Sequence, residues 1–217
     1  MKKIFVVLFS ITLLVLCMSC EDLFNKDDPG TLGGDQSPIG AVGAATESSS
    51  MEIAGVSNFS ASVIALKDGV STYTGSATVK NEALKNLVAN IPGITVVGDK
   101  VSTTGMDFKV TKEGLELKTG PGAGIWVKYD SKVGDTYPIG STGKVRTVVA
   151  KTGVDDYPYG FMLIKVIQVV ETPNYLKTTG ISKITYVANH KFGLVGVKFT
   201  VGDGSNITFP IYNSAEN

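Results

Sequence analysis

The chain reads as mostly β: an antiparallel curved sheet, half-barrel or sandwich of about ten strands, with one short helix at about residues 81–90. Three observations predict this. Apolar and polar residues alternate with period two from Met51 onward. Gly and Asp pairs interrupt the alternation at short intervals, as hairpin turns do. Only one stretch carries apolar residues at helical spacing.

The body begins with Val56–Leu66, an alternating run that ends at the turn signal Lys67-Asp68-Gly69. Val70–Val79 (VSTYTGSATV) resumes strand character, so the two predict a hairpin. Asn81–Ala89 is the helix: Asn81 is placed to cap it, Leu84, Leu87 and Val88 share a face, and Pro92-Gly93 stops it. A helix this short is marginal alone and must pack on a sheet. Ile94–Val97, Met106–Val110 and Leu115–Lys118 follow as strands, separated by the turns Gly98-Asp99 and Glu113-Gly114. Residues 119–124 (TGPGAG) are the strongest break, a hinge between two lobes or a wide loop. Ile125–Tyr129, Lys144–Lys151, Tyr159–Glu171, Ile181–Asn189, Phe192–Val201 and Ile207–Tyr212 complete the strands, and Gly202–Asn206 is a hairpin loop.

Upstream the chemistry differs. Lys2 and Lys3 precede an apolar run from Ile4 to Leu16, too short to span a bilayer but fitting a secretory signal peptide over residues 1–19. Ser19 stands directly before Cys20. This arrangement resembles the lipobox of bacterial lipoproteins, with Cys17 and Met18 departing from its commonest residues. The resemblance implies that Cys20 is acylated and becomes the first residue after cleavage. Two or three acyl chains anchor stably where one does not. The acidic start Glu21, Asp22, Asp27, Asp28 resembles the surface-export signal of Bacteroidota lipoproteins. Residues 20–50, rich in Gly, Ser and Pro, read as a flexible tether, part of it able to pair as an edge strand. The β domain then spans 51–217, with candidate lobes at 51–120 and 121–217.

Composition narrows the function classes. Lys+Arg 20 against Asp+Glu 20 becomes 18 against 20 once Lys2 and Lys3 leave with the leader, a charge of −2. That balance, with Arg146 the sole Arg, argues against nucleic acid. Both cysteines lie at or before position 20, so the body has no disulfide and no thiolate metal ligand. His190 is the single histidine. No motif of a nucleophile elbow, a zinc protease or a phosphate-binding loop occurs. Asp155-Asp156 would point to opposite faces of a strand, a poor geometry for paired acid–base work. The expectation is therefore a non-enzyme without cofactor or metal. Trp126, Tyr129, Tyr137, Tyr157 and Tyr159 are the candidate lining of a ligand groove.

Residues 128–137 (KYDSKVGDTY) and 186–195 (YVANHKFGLV) form a spaced pair of motifs. This pattern resembles a broad group of bacterial envelope lipoproteins whose curved antiparallel sheets wrap an apolar concavity. The resemblance covers about a third of the chain and implies fold rather than activity. Each motif also has a structural reading, Gly134-Asp135 as a turn and Gly193 as a bend. Together these readings predict a lipid-anchored envelope protein, at the outer membrane and either periplasmic or surface-exposed. Its β domain binds an unidentified protein, glycan or other ligand. Two alternatives stand beside it: a carrier of lipid or another apolar molecule, which requires a sizeable apolar cavity, and a structural or adhesive surface subunit.

Overall fold

A computed structural model of the chain describes residues 31–49, 51–176 and 180–217; the leader and Cys20 lie outside them. Leu32–Asn217 forms one compact unit. Its first half supplies β1 (Ala45–Glu47), β2 (Val56–Lys67), β3 (Val70–Val79), the helix α1 (Glu82–Ala89), β4 (Ile94–Val97), β5 (Lys100–Thr111), β6 (Gly114–Leu117) and β7 (Gly124–Lys128). Its second half supplies β8 (Thr136–Ile139), β9 (Lys144–Lys151), β10 (Tyr157–Tyr159), β11 (Met162–Ile164), β12 (Ile167–Glu171), β13 (Ile181–Asn189), β14 (Gly193–Val201), β15 (Asn206–Pro210) and β16 (Tyr212–Asn213). The fold is mostly β with a curled antiparallel half-barrel sheet. It has more strands than alternation indicated, because several are only two to four residues long and too short to show a period.

The strands form two large sheets and one hairpin. The first sheet runs β16-β1-β2-β3-β5-β6-β7, with β4 pairing the Lys100–Thr103 end of β5 and β6 its Phe108–Thr111 end. The second runs β15-β14-β13-β12-β9-β8, and β10-β11 stands apart. Register shifts in the β2–β3 and β3–β5 pairings bend the first sheet. Gly75 lies at this bend. A Cβ there would sit 2.9 Å from the Ser60 carbonyl oxygen, so only glycine allows the strands to approach so closely.

Helix α1 matches its sequence signature. The Asn81 side chain accepts a hydrogen bond from Leu84 N at 3.1 Å, and Leu84 and Leu87 are buried. The core they join draws on both sheets, with Val79, Val101 and Val127 meeting Val148, Val169, Ile184 and Phe209. Period two holds where the second sheet covers the first: Ile125 and Val127 on β7, Tyr137 and Ile139 on β8, and Ile167, Val169 and Glu171 on β12 all alternate inward.

Three expectations are corrected. The tether does not extend to Ser50, because Leu32 and Ile39 are buried and β1 pairs between β2 and β16 rather than at an edge. Leu32 N donates to the buried Glu116 carboxylate at 3.0 Å, and Ser37 N donates to Val110 O at 3.0 Å. These bonds and buried aliphatics outweigh the local glycine content. The two lobes are not independent, since one core spans both sheets and the change of sheet follows Lys128 rather than residue 120. The run Tyr159–Glu171 is not one strand, because Gly160 turns with a φ of +58° and a break after Ile164 separates β11 from β12.

Candidate functional site

The inner face of the first sheet is not fully covered by the second. The space left between them is a cavity of about 430 Å³ with a predominantly apolar wall. Strand β3 contributes Ala77 and Val79, β5 contributes Met106 and Phe108, and β6 contributes Leu115 and Leu117. Leu84, Leu87 and Val88 of α1 close one side, and Val197, Phe199 and Phe209 of the second sheet face them. The small residues Gly75 and Ala77 on β3 keep this space open, since larger side chains at those positions would project into it. Pro92, Gly105 and residues 119–122 also border the cavity, so the glycine-rich stretch is a rim loop rather than a hinge.

An ion pair is sealed into the wall. Arg146 on β9 and Glu171 on β12 stand one step beyond the Val170–Thr147 pair of these neighbouring strands. Both side chains are essentially inaccessible, at 0% and 2%. Arg146 Nε and Glu171 Oε2 lie 2.6 Å apart, and neither atom has another partner among the described residues. The remaining groups are well satisfied. Arg146 Nη2 donates to Gly122 O at 2.7 Å and Nη1 to Ile125 O at 3.2 Å. Glu171 Oε1 accepts from the Tyr186 hydroxyl at 2.8 Å and the Tyr175 hydroxyl at 3.0 Å. The guanidinium carbon lies 5.9 Å from the ring centroids of both Trp126 and Tyr186, whose rings stack 4.6 Å apart. Burial pushes both tyrosine hydroxyls well above their ordinary range, and the adjacent Glu171 charge adds to the effect. The two opposite charges of this wall sum to zero.

Two polar atoms of lining residues are unpartnered among the described residues, Trp126 Nε1 and Thr103 Oγ1. Of the five aromatics expected to line a groove, Trp126 alone borders the cavity. Tyr129 and Tyr137 are buried where the chain passes from one sheet to the other, with the Tyr137 hydroxyl 2.5 Å from Ser131 Oγ. Tyr157 and Tyr159 belong to a separate small core with Ile164, Val166, Val187, Val195 and Phe192. The sequence reading missed the apolar cavity walls and the ion pair. A usable signal was present: Arg146 occupies the same phase as Val148, and Glu171 the same phase as Val169 and Ile167, so two charges occur at inward positions.

The remaining polar candidates lie in turns and loops. Asp155 and Asp156 are exposed before β10. His190 is exposed in the β13–β14 turn, where Asn189 Oδ1 accepts from Lys191 N and Phe192 N. Asp135 Oδ2 accepts from Lys132 N at 2.8 Å, so both halves of the motif pair build turns. Among the described residues no group of three or more His, Cys, Asp or Glu side chains is arranged to hold a metal ion. No family model, curated protein or solved structure matches this chain.

Proposed function

We propose that this protein is a lipid-anchored envelope protein whose β body holds an apolar molecule, an acyl chain of a lipid, between its two sheets without chemically altering it. The observation that carries the reading is the apolar cavity of about 430 Å³, within the ~300–1,000 Å³ range of small-molecule sites. Its wall combines broad apolar area with two polar atoms, on Trp126 and Thr103, that have no partner among the described residues, a pattern suited to apolar affinity with polar orientation. The neutral Arg146–Glu171 pair favours an uncharged chain over an ion at that wall. The anchor rests on the Ser19-Cys20 lipobox, which would hold such a carrier beside the membrane that supplies its cargo.

The test uses the full chain isolated from membranes. Native mass spectrometry is expected to find a bound acyl lipid, and a fluorescent fatty acid is expected to alter Trp126 emission on binding. Ala77→Phe fills the cavity from β3 and is expected to weaken that binding by about tenfold or more, equivalent to ~1.4 kcal/mol. A protein that carries no lipid and binds the probe equally well with Phe at position 77 refutes the carrier reading. Intact-mass analysis of Cys20 tests the anchor separately.

A further inference from the structure

The β10–β11 hairpin carries a contiguous exposed apolar tip. Phe161 at its tip is fully exposed, and Met162 and Leu163 are 50% and 58% exposed. Singly exposed apolar residues are ordinary, but three consecutive ones on a projecting turn are not. The hairpin is held firmly. Tyr159 and Ile164 pack with Val187 and Val195 on the face of the second sheet turned away from the main core. The Tyr159 ring lies 4.8 Å from Phe192 and 5.4 Å from Tyr212. The three tip residues therefore cannot fold back to bury themselves without breaking this packing.

The point at which the chain enters the body bears on what covers the tip. The body starts at Leu32, beside the β5–β6 turn, where Lys112 N donates to Asp35 O at 3.0 Å. A chain of contacts leads from there to the hairpin. Tyr129 N donates to Glu113 O at 2.9 Å, Lys151 Nζ donates to Tyr129 O at 3.0 Å, and Thr152 N donates to Val166 O at 2.8 Å. The chain thus enters the body at the same end as the hairpin. Eleven residues separate Cys20 from Leu32, a reach of about 40 Å at ~3.5 Å per residue. On the anchored reading, an acyl chain on Cys20 would tether this end to the bilayer. Nearby charges are mixed, Asp155, Asp156 and Glu216 against Lys165 and Lys191, so attraction to a charged headgroup is not the driving force.

We infer that Phe161, Met162 and Leu163 form a finger that inserts into the interfacial layer of the membrane holding the anchor, setting the body's orientation on that surface. This rests on the anchored reading above. The tip supplies apolar area at the depth where aromatic and aliphatic side chains partition, and Tyr157, Tyr159 and Tyr212 lie at its base.

The test reconstitutes the full chain carrying Trp126→Phe and Phe161→Trp into phosphatidylcholine vesicles with or without brominated acyl chains. The indole introduced at the fingertip is then the sole tryptophan, and loss of most of its emission with brominated lipid is expected. A second variant with Trp126→Phe and Val97→Trp reports from the opposite end, at the β4–β5 turn, and is expected to be unaffected. Equal fingertip emission in both vesicles overturns the inference. So does a concentration-dependent blue shift of the fingertip indole without lipid, which marks packing against a second copy. Unmodified Cys20 together with a quenched fingertip refutes the acyl anchor but leaves the finger standing.

Discussion

Replacing Arg146 with Met tests whether the wall of the cavity is held by paired charge. The substitution leaves Glu171, 2% accessible, without its cation. Breaking a buried ion pair on one side costs about 3–5 kcal/mol, because the remaining charge stays desolvated. Two hydroxyls still donate to Glu171, which keeps the expected loss within that range rather than above it. Adding Glu171→Gln removes the orphaned charge while keeping an oxygen for Tyr186 and Tyr175. The double variant then loses chiefly the donors to Gly122 O and Ile125 O, about 1 kcal/mol each. It is expected to lie about 2 kcal/mol below the native protein, above the single Arg146→Met variant. The assay is urea unfolding followed by the fluorescence of Trp126 and by circular dichroism, with equal slopes required for the comparison. An Arg146→Met loss under about 1 kcal/mol, or a double loss equal to the sum of the single losses, refutes the argument.

Other outcomes follow from the same structure. Asn81→Ala removes the α1 cap and is expected to cost about 1 kcal/mol in urea unfolding, with no loss if the cap is unimportant. Gly114→Ala drives a Cβ into Val127 O, far inside van der Waals contact, and is expected to cost about 3 kcal/mol or more by forcing β6 from β7; near-native stability would contradict that geometry. Burial raises the Tyr73 hydroxyl to about 12, and raises Tyr129, Tyr175 and Tyr186 as well. Their neutral forms stabilise the fold fully below pH ~10, and this contribution is lost as pH climbs from the unfolded value toward the folded ones, at ~1.4 kcal/mol per pH unit per group. Absorbance titration is expected to show these tyrosines ionising late and together with unfolding, and a single transition at about pH 10 in folded protein would refute it.

The parts of the fold that were legible are those set by neighbours in sequence. Asn81, with Leu84 and Leu87 behind it, announced α1, and Asp68-Gly69 announced the β2–β3 hairpin. What was hidden depends on distant pairing. Leu32 reads as linker until Glu116 is placed beside its amide. Tyr159–Glu171 reads as continuous because nothing local reveals that Tyr159 turns to a different core from Val169. The cavity was the least visible feature, since its volume is the difference between two curvatures set by register shifts far apart. The aromatic residues alone led to a different grouping, because aromatic character does not state which face of a strand is inward.

Strand β16 lies far along the chain from β1 yet pairs with it, and Ile211 and Asn213, just before and within it, border the cavity. The first sheet therefore closes only once Asn213 has been made and can pair with Thr46. A nascent chain that has not yet made β16 exposes a greasy trough with an open seam, and such long-range closure is slow. Truncation before β16 removes a wall rather than a tail.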